Sequence, residues 1–183
     1  RMSFRLCNGL AGISARETDV IAIAGMGGET IAEILAAAPW TREGEKLLLL
    51  QPMSAQPELR RWLWQHGFTL VADRPVQAAG RWYAVMAAEY TGEVTEPTFK
   101  QCLLGETGHW PEGAGYAAWQ RAKLPRMRLG VPDGSELAQE IDNLLAGLPS
   151  QAASRPALPK GEPLANRKLC MDCQSLPLWG RWH

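Results

Sequence analysis

Asp19-Val20-Ile21-Ala22-Ile23-Ala24-Gly25-Met26-Gly27-Gly28 is the stretch that decides the fold. Its first part is apolar at successive positions rather than alternate ones. That pattern belongs to a strand buried on both faces, as in a parallel sheet covered by helices. Three glycines in four residues then break the strand. A helix follows, with Ile31, Ile34, Leu35 and Ala38 along one face. Glu29 and Glu33 suit its N-terminal half, where the helix dipole favours negative charge. Pro39 stops it.

Moving outward, a second unit repeats the first. Leu47-Leu48-Leu49-Leu50 reads as another buried strand, ended by Gln51-Pro52. Pro57 fits the first turn of the next helix, Leu59, Trp62, Leu63 and His66 share its inner face, and Gly67 caps it. Phe68 to Ala72 and Trp82 to Tyr90 read as two further strands around Pro75 and Gly80. No helix separates them, so they are expected to run antiparallel. Upstream, Phe4-Arg5-Leu6 reads as a short strand ended by Asn8-Gly9. The pattern is an open α/β sheet with right-handed crossovers in its parallel part.

Beyond Tyr90 the periodicity turns helical. Helices are expected over 98–104, over 116–129 with a break at Pro125, and over 135–148 with Leu137, Ile141, Leu144, Leu145 and Leu148 on one side. From Pro149 to His183 the chain is rich in proline and small polar residues, which reads as a disordered tail. The expected division is 1–92 for the sheet domain, 93–148 for a helical extension and 149–183 for the tail.

The formal net charge is zero, so no global field points to nucleic acid or membrane. No stretch approaches the apolar length of a membrane span, and the first residues hold no apolar leader segment. Four scattered cysteines do not make a disulfide framework. A reducing, cytoplasmic setting is the expectation. The chain opens on Arg1 rather than methionine, a hint of something upstream.

The glycine turn carries the chemistry. Ligands of open α/β sheets bind outside the carboxyl ends of the strands. Glycines there let the backbone approach a ligand and adopt positive φ; the plain alternative is a tight strand-to-helix turn. The dinucleotide fingerprint fails twice: Thr30 holds the third glycine position, and Gln51 stands where a ribose-binding acid belongs. Gln51-Pro52-Met53 should lie beside the turn, where the glutamine amide can pair with a base edge; a simple proline turn explains it equally well. Cys7-Asn8-Gly9-Leu10 offers an asparagine that could meet an adenine amino group.

Arg121, Lys123, Arg126 and Arg128 cluster with no acid among them, near Tyr116 and Trp119. Cations with aromatics suit RNA phosphates and exposed bases, although a solvated helix face has the same composition. Arg60 and Arg61 form a smaller patch. Cys170 and Cys173 have zinc-knuckle spacing without a second pair, and His183 adds one ligand at most, so no metal is expected. His66 reads as a packed residue. No nucleophile triad or paired carboxylates stand out, and no catalytic residue is assigned.

Taken together, Arg5-Leu6-Cys7-Asn8-Gly9-Leu10, the 19–28 run, Leu49-Leu50-Gln51-Pro52-Met53, Leu59-Arg60-Arg61-Trp62-Leu63 and Gly67-Phe68 resemble the bacterial tRNA adenine-N1 methyltransferases that modify adenine 22. The likeness covers about residues 4–90. It implies a Rossmann-like class I methyltransferase sheet, here strands three to seven, with a helical C-terminal extension. It implies S-adenosyl-L-methionine as cofactor and tRNA as partner. It places Asn8, Gly9 and Leu10 at the adenine side of the cofactor pocket. Ala24, Gly25, Met26 and Gly27 then face the methionine and reacting methyl, and Gln51, Pro52 and Met53 face the substrate. The chain departs from the family at Cys7 and Asn8, where glycine and aspartate are usual. The family's first segment, with strands one and two and an acidic glycine motif, has no counterpart here, so a fragment of a longer protein is expected. Two other classes stay open: a nucleotide-dependent oxidoreductase, and a non-catalytic RNA-binding module.

Overall fold

The computed structural model describes residues 2–147. Leu148, the 149–183 tail, Cys170, Cys173 and His183 lie outside the described residues. Four strands form one sheet: β1 (Val20–Gly27), β2 (Leu47–Ser54), β3 (Phe68–Ala78) and β4 (Arg81–Tyr90), in the order β1-β2-β4-β3. β1 and β2 are parallel; β4 is antiparallel to both β2 and β3. The crossovers are made by α1 (Gly28–Ala36) and α2 (Gln56–Gln65), with a 3-10 turn at Pro39–Arg42 after α1.

The strands run further than the sequence pattern suggests. β1 continues through the glycines to Gly27, and β2 through Gln51, Pro52 and Met53 to Ser54. The β1–β2 register shifts between Ala24 and Met26, so the glycines make an irregularity at the strand end rather than an abrupt break. Phe4-Arg5-Leu6 is not a strand; Phe4 and Leu6 are exposed and no ladder partner lies beside them among the described residues.

The sheet is not buried on both faces among the described residues. α1 and α2 cover one face, where Ile21, Ile23, Leu48, Leu50, Leu70, Met86 and Ala88 join Ile31, Leu35, Leu59 and Leu63 in one core. On the other face, Ala22 is exposed and its register partner Leu49 and then Ala87 are only half-buried. Alternate side chains of a strand point to opposite faces, so one covered face produces this alternation.

The rest is helical: α3 (Phe99–Leu104), α4 (Gly113–Arg121), α5 (Leu124–Arg128) and α6 (Glu136–Leu145). α3 starts on a capping box between Thr98 and Gln101. The break in the 116–129 region falls at Ala122-Lys123, two residues before Pro125; the proline sits in the first turn of α5, where its missing N–H costs nothing. Phe99, Leu103, Leu124, Ile141 and Leu144 form a second core. α6 buries Ala138, Ile141 and Leu144, whereas Leu137 and Leu145 face solvent, so its buried stripe is narrower than its leucines imply.

A buried ion pair joins the two parts. Arg60 on α2 and Asp73 on β3 both have fully buried side chains. Arg60 Nε donates to Asp73 Oδ2 at 2.8 Å and Nη2 to Oδ1 at 3.1 Å. Arg60 Nη1 also reaches the carbonyl of Cys102 at 3.0 Å, and the Glu106 amide donates to Asp73 Oδ2 at 3.2 Å. Arg60 is therefore no part of a surface patch. It closes the open end of α3 onto the sheet. No helix of the described residues is long and apolar enough to cross a membrane.

Candidate functional site

The carboxyl ends of β1 and β2 lie side by side, Ala24 opposite Gln51 and Gly27 opposite Ser54. This is the edge at which open α/β sheets bind ligands. Each glycine there has its own reason. Gly25 has φ +77, and a Cβ on it would meet nothing within 4 Å. The left-handed backbone is what requires glycine, and the space above it is open. Gly28 has no such freedom: a Cβ would stand 2.2 Å from the carbonyl oxygen of Ala55. That close approach lets α1 begin hard against the β2–α2 connection. Ala55 is itself in the left-handed region at φ 52, a strained state for a residue with a side chain and common beside functional sites.

Gln51 holds the turn. Its Oε1 accepts from the Gly25 amide at 3.0 Å, and its Nε2 points to Met53 Sδ at 3.4 Å. Its carbonyl thus braces the glycine loop. The sequence alone shows a glutamine at a strand end but not this partner, which depends on the parallel register. Pro52 is buried, while Met26 and Met53 are exposed, placing two thioethers at the mouth of the edge.

The Asn8–Leu10 loop lies against α1. Leu10 packs on the first core, and a Cβ on Gly9 would meet Ile34 at 3.1 Å. Ile34 stands six residues past Gly28, roughly 9 Å along the helix axis, so this loop and the glycine turn flank α1 at separate levels. Arg5 closes the loop by donating to the Gly12 carbonyl at 2.6 Å and pairing with Glu17. Arg5 and Ser14 together hold the Glu17 carboxyl down to about 2.

The basic cluster divides. Arg121 and Arg126 are exposed. Lys123 is half-buried, with its Nζ 3.1 Å from the centroid of the Trp119 ring and 3.0 Å from Gln120 Oε1. Desolvation pulls its pKa down to about 8, partly offset by Glu58. Arg128 is committed elsewhere: its Nη2 meets Asp133 at 2.6 Å and its Nε meets Asp142 at 3.1 Å, clasping α5 to α6. Lys123 faces the carboxyl edge of the sheet. With Met53, Ser54, Arg81, Trp82, Tyr83 and Trp119 it lines a cavity of about 390 Å³. Sequence reasoning missed Arg81 and Trp82, because the β3–β4 hairpin that carries them reaches the site only through antiparallel pairing. His66 is a packed residue, stacked on Trp62 with centroids 4.2 Å apart. No group of three or more His, Cys, Asp or Glu side chains that could hold a metal gathers among the described residues.

Residues 1–86 match the family model described as a methyltransferase domain. A curated relative, the tRNA (adenine(22)-N(1))-methyltransferase of Bacillus subtilis (strain 168), is 38% identical over 88 residues, 48% of this chain and 37% of the relative. Among solved structures, Streptococcus pneumoniae Sp1610, which carries the provisional description tRNA (m1A22) methyltransferase, superposes with a TM-score of 0.62 at 28% identity, covering 78% of this chain and 65% of that one. The same protein solved with S-adenosyl-L-methionine gives 0.60 at 26% identity, covering 78% and 64%. The structure of M. capricolum TrmK with S-adenosyl-homocysteine shares the fold, with a TM-score of 0.56 at 17% identity over 78% of this chain and 64% of that one. The chain spans just over a third of the curated relative and just under two thirds of these structures.

Proposed function

We propose, from the premise that residues 1–86 match the methyltransferase domain family and are related to the tRNA adenine-22 N1 methyltransferases, that the protein carrying this chain transfers methyl groups from S-adenosyl-L-methionine to N1 of an adenine in tRNA. The observation that supports this best is the bond from the Gly25 amide to Gln51 Oε1. It fixes an open, left-handed glycine loop against the neighbouring strand end, where cofactor and substrate must meet. A tRNA substrate implies a cytoplasmic setting.

The residues present fit one wall of that cofactor's pocket. A Cβ placed on Gly25 would find no atom within 4 Å, so a ligand can lie on the backbone there. S-adenosyl-L-methionine, when bound, supplies an electrophilic sulfonium methyl. Ala24 to Gly27 would present backbone to its amino-acid end, and the Asn8–Leu10 loop, held shut by Arg5, would flank its nucleoside end. Gln51 keeps the glycine loop in place, and Met53 offers a polarisable thioether to a flat base. The chain's work in this scheme is orientation and exclusion of water. Within the basic cluster, Arg121, Lys123 and Arg126 can meet tRNA phosphates, while Arg128 is paired with Asp133 and Asp142. Exposing the target base costs about a few kcal/mol, which these contacts help to offset.

Calorimetry on the full-length protein with S-adenosyl-L-methionine and with a nicotinamide dinucleotide tests the reading. Binding of the first alone supports it. Tight nicotinamide binding would make the protein an oxidoreductase instead, and RNA binding with no cofactor binding would make it a non-catalytic module.

A further inference from the structure

We propose that the cavity between Ser54, the β3–β4 hairpin and the α4–α5 corner seats one unpaired RNA nucleotide, its base stacked on the Trp82 indole and its phosphate held by Lys123 and Arg81. The inference rests on the RNA half of the function proposed above and adds a site to it.

The cavity, at about 390 Å³, falls in the range of roughly 300–1,000 Å³ usual for small-ligand sites. Its wall carries two cations and no acidic side chain. Three of its side chains are aromatic, and all three are only half-buried, so their rings are partly open to a ligand. Cations beside indoles are the combination that binds single-stranded nucleic acid: every base has a face to stack, and every nucleotide a phosphate. The position fits as well. A Cβ on Gly27 would lie 3.3 Å from Ser54 Oγ, so the cavity opens directly beside the glycine turn.

The site is built rather than incidental. Lys123 is held over Trp119 and donates to Gln120 Oε1. The buried Gln120 donates through Nε2 to Tyr116 Oη at 2.8 Å. Tyr116 Oη in turn accepts from Arg60 Nη2 at 3.3 Å, and Arg60 is clamped by Asp73. A continuous chain of hydrogen bonds thus runs from the buried ion pair to the cation at the cavity wall. Tyr116 also packs edge-on to Trp82, with centroids 6.1 Å apart, and lies 5.6 Å from Trp119. Gly115 admits Trp82 to the face of α4, because a Cβ there would stand 2.9 Å from Trp82 Cζ2. Both the stacking surface and the ammonium are positioned before any ligand arrives, which lowers the cost of binding.

The test uses the 183-residue chain and a fluorescently labelled single-stranded RNA hexanucleotide, followed by anisotropy at several salt concentrations. Trp82→Ala should weaken binding roughly 5- to 150-fold, the range of one lost base stack. Trp82→Phe, which keeps a ring, should recover most of it. Lys123→Gln should weaken binding and flatten the salt slope by about 0.7, the share of one phosphate contact on a single strand. Thermal melts check that each variant is folded, and Lys123→Gln, at a half-buried position, keeps the test decisive should the alanine variant melt early. Wild-type affinity in a folded Trp82→Ala together with wild-type affinity and salt slope in Lys123→Gln would overturn the proposal, as would a wild-type chain that does not bind the RNA. S-adenosyl-L-methionine titrated in parallel into the full-length protein separates the two readings. If cofactor binding is absent while the RNA pattern holds, the methyl-transfer reading falls and the nucleotide seat stands. If cofactor binding is intact and RNA binding ignores these residues, the seat falls alone.

Discussion

Asp73→Ala isolates the buried ion pair that ties the helical extension to the sheet. In the intact chain the Asp73 carboxylate accepts two bonds from Arg60 and one from the Glu106 amide, with both ionic side chains at zero exposure. Removing the carboxylate leaves the Arg60 guanidinium buried without its counter-charge and removes the bond from the Glu106 amide to Asp73. Breaking a buried pair in this way costs about 3–5 kcal/mol. Against a total stability of about 5–15 kcal/mol, that is a large fraction. At about 2–4 °C per kcal/mol for a chain of this size, the melting temperature should drop by roughly 6–20 °C. Urea unfolding followed by far-UV circular dichroism should show a lower midpoint with an unchanged slope, because the surface exposed on unfolding is the same. Replacing both partners, Arg60→Met with Asp73→Leu, should recover most of the loss, since the desolvation cost of the charges is then removed together with their attraction. A loss below about 1 kcal/mol in Asp73→Ala, the range of a surface pair, would refute this account of the junction.

Four further outcomes are expected. Gly28→Ala places a methyl 2.2 Å from a backbone carbonyl oxygen that cannot swing aside, so denaturant titration should show a loss of about 1–3 kcal/mol from overpacking. Gly27→Trp fills the space beside Ser54 and should abolish methyl transfer in the full-length protein; full activity in that variant means the loop does not face the reactive end of the cofactor. Lys123, whose pKa is lowered to about 8 chiefly by desolvation, is charged below that pH and neutral above it. RNA affinity should therefore fall as pH rises from 7 to 9, while Lys123→Arg, with Arg81 still charged and Glu58 still ionised nearby, should show no such fall; an identical pH profile in the two proteins counts against Lys123 as the phosphate contact. The same shift makes the folded state relatively more stable as pH rises from about 8 toward 10.5, since over that window the unfolded chain binds the extra proton.

The sheet is largely readable in the sequence because its signals are local. Ile21 and Ile23, Leu48 and Leu50, and the apolar faces of α1 and α2 announce themselves in runs of ten residues or fewer. Gly25 is readable as a conformational need and Gly28 only as a glycine, because its close neighbour Ala55 is 27 positions away in the chain. What sequence does not show depends on pairing. Arg60 and Arg61 look alike as neighbours, yet one is a buried partner of Asp73 and the other is exposed. Arg128 looks like its companions Arg121 and Arg126 until Asp133 and Asp142 are folded onto it. Trp82 reads as an ordinary strand residue; only the β4 register and the packing of α4 bring it to a cavity shared with Lys123. The expectation of a strand at 4–6 fails for the opposite reason: three residues with strand-like composition form no strand without a neighbour to pair with.

The most direct test of the central claim is to incubate the full-length protein with unmodified tRNA and methyl-deuterated S-adenosyl-L-methionine, then digest the tRNA and identify its nucleosides by mass spectrometry. Deuterated 1-methyladenosine is expected, and it should be lost when Gly27 is replaced by Trp. A deuterated methyl on any other nucleoside or position, or a tRNA that stays unlabelled while the cofactor is demonstrably bound, would contradict it.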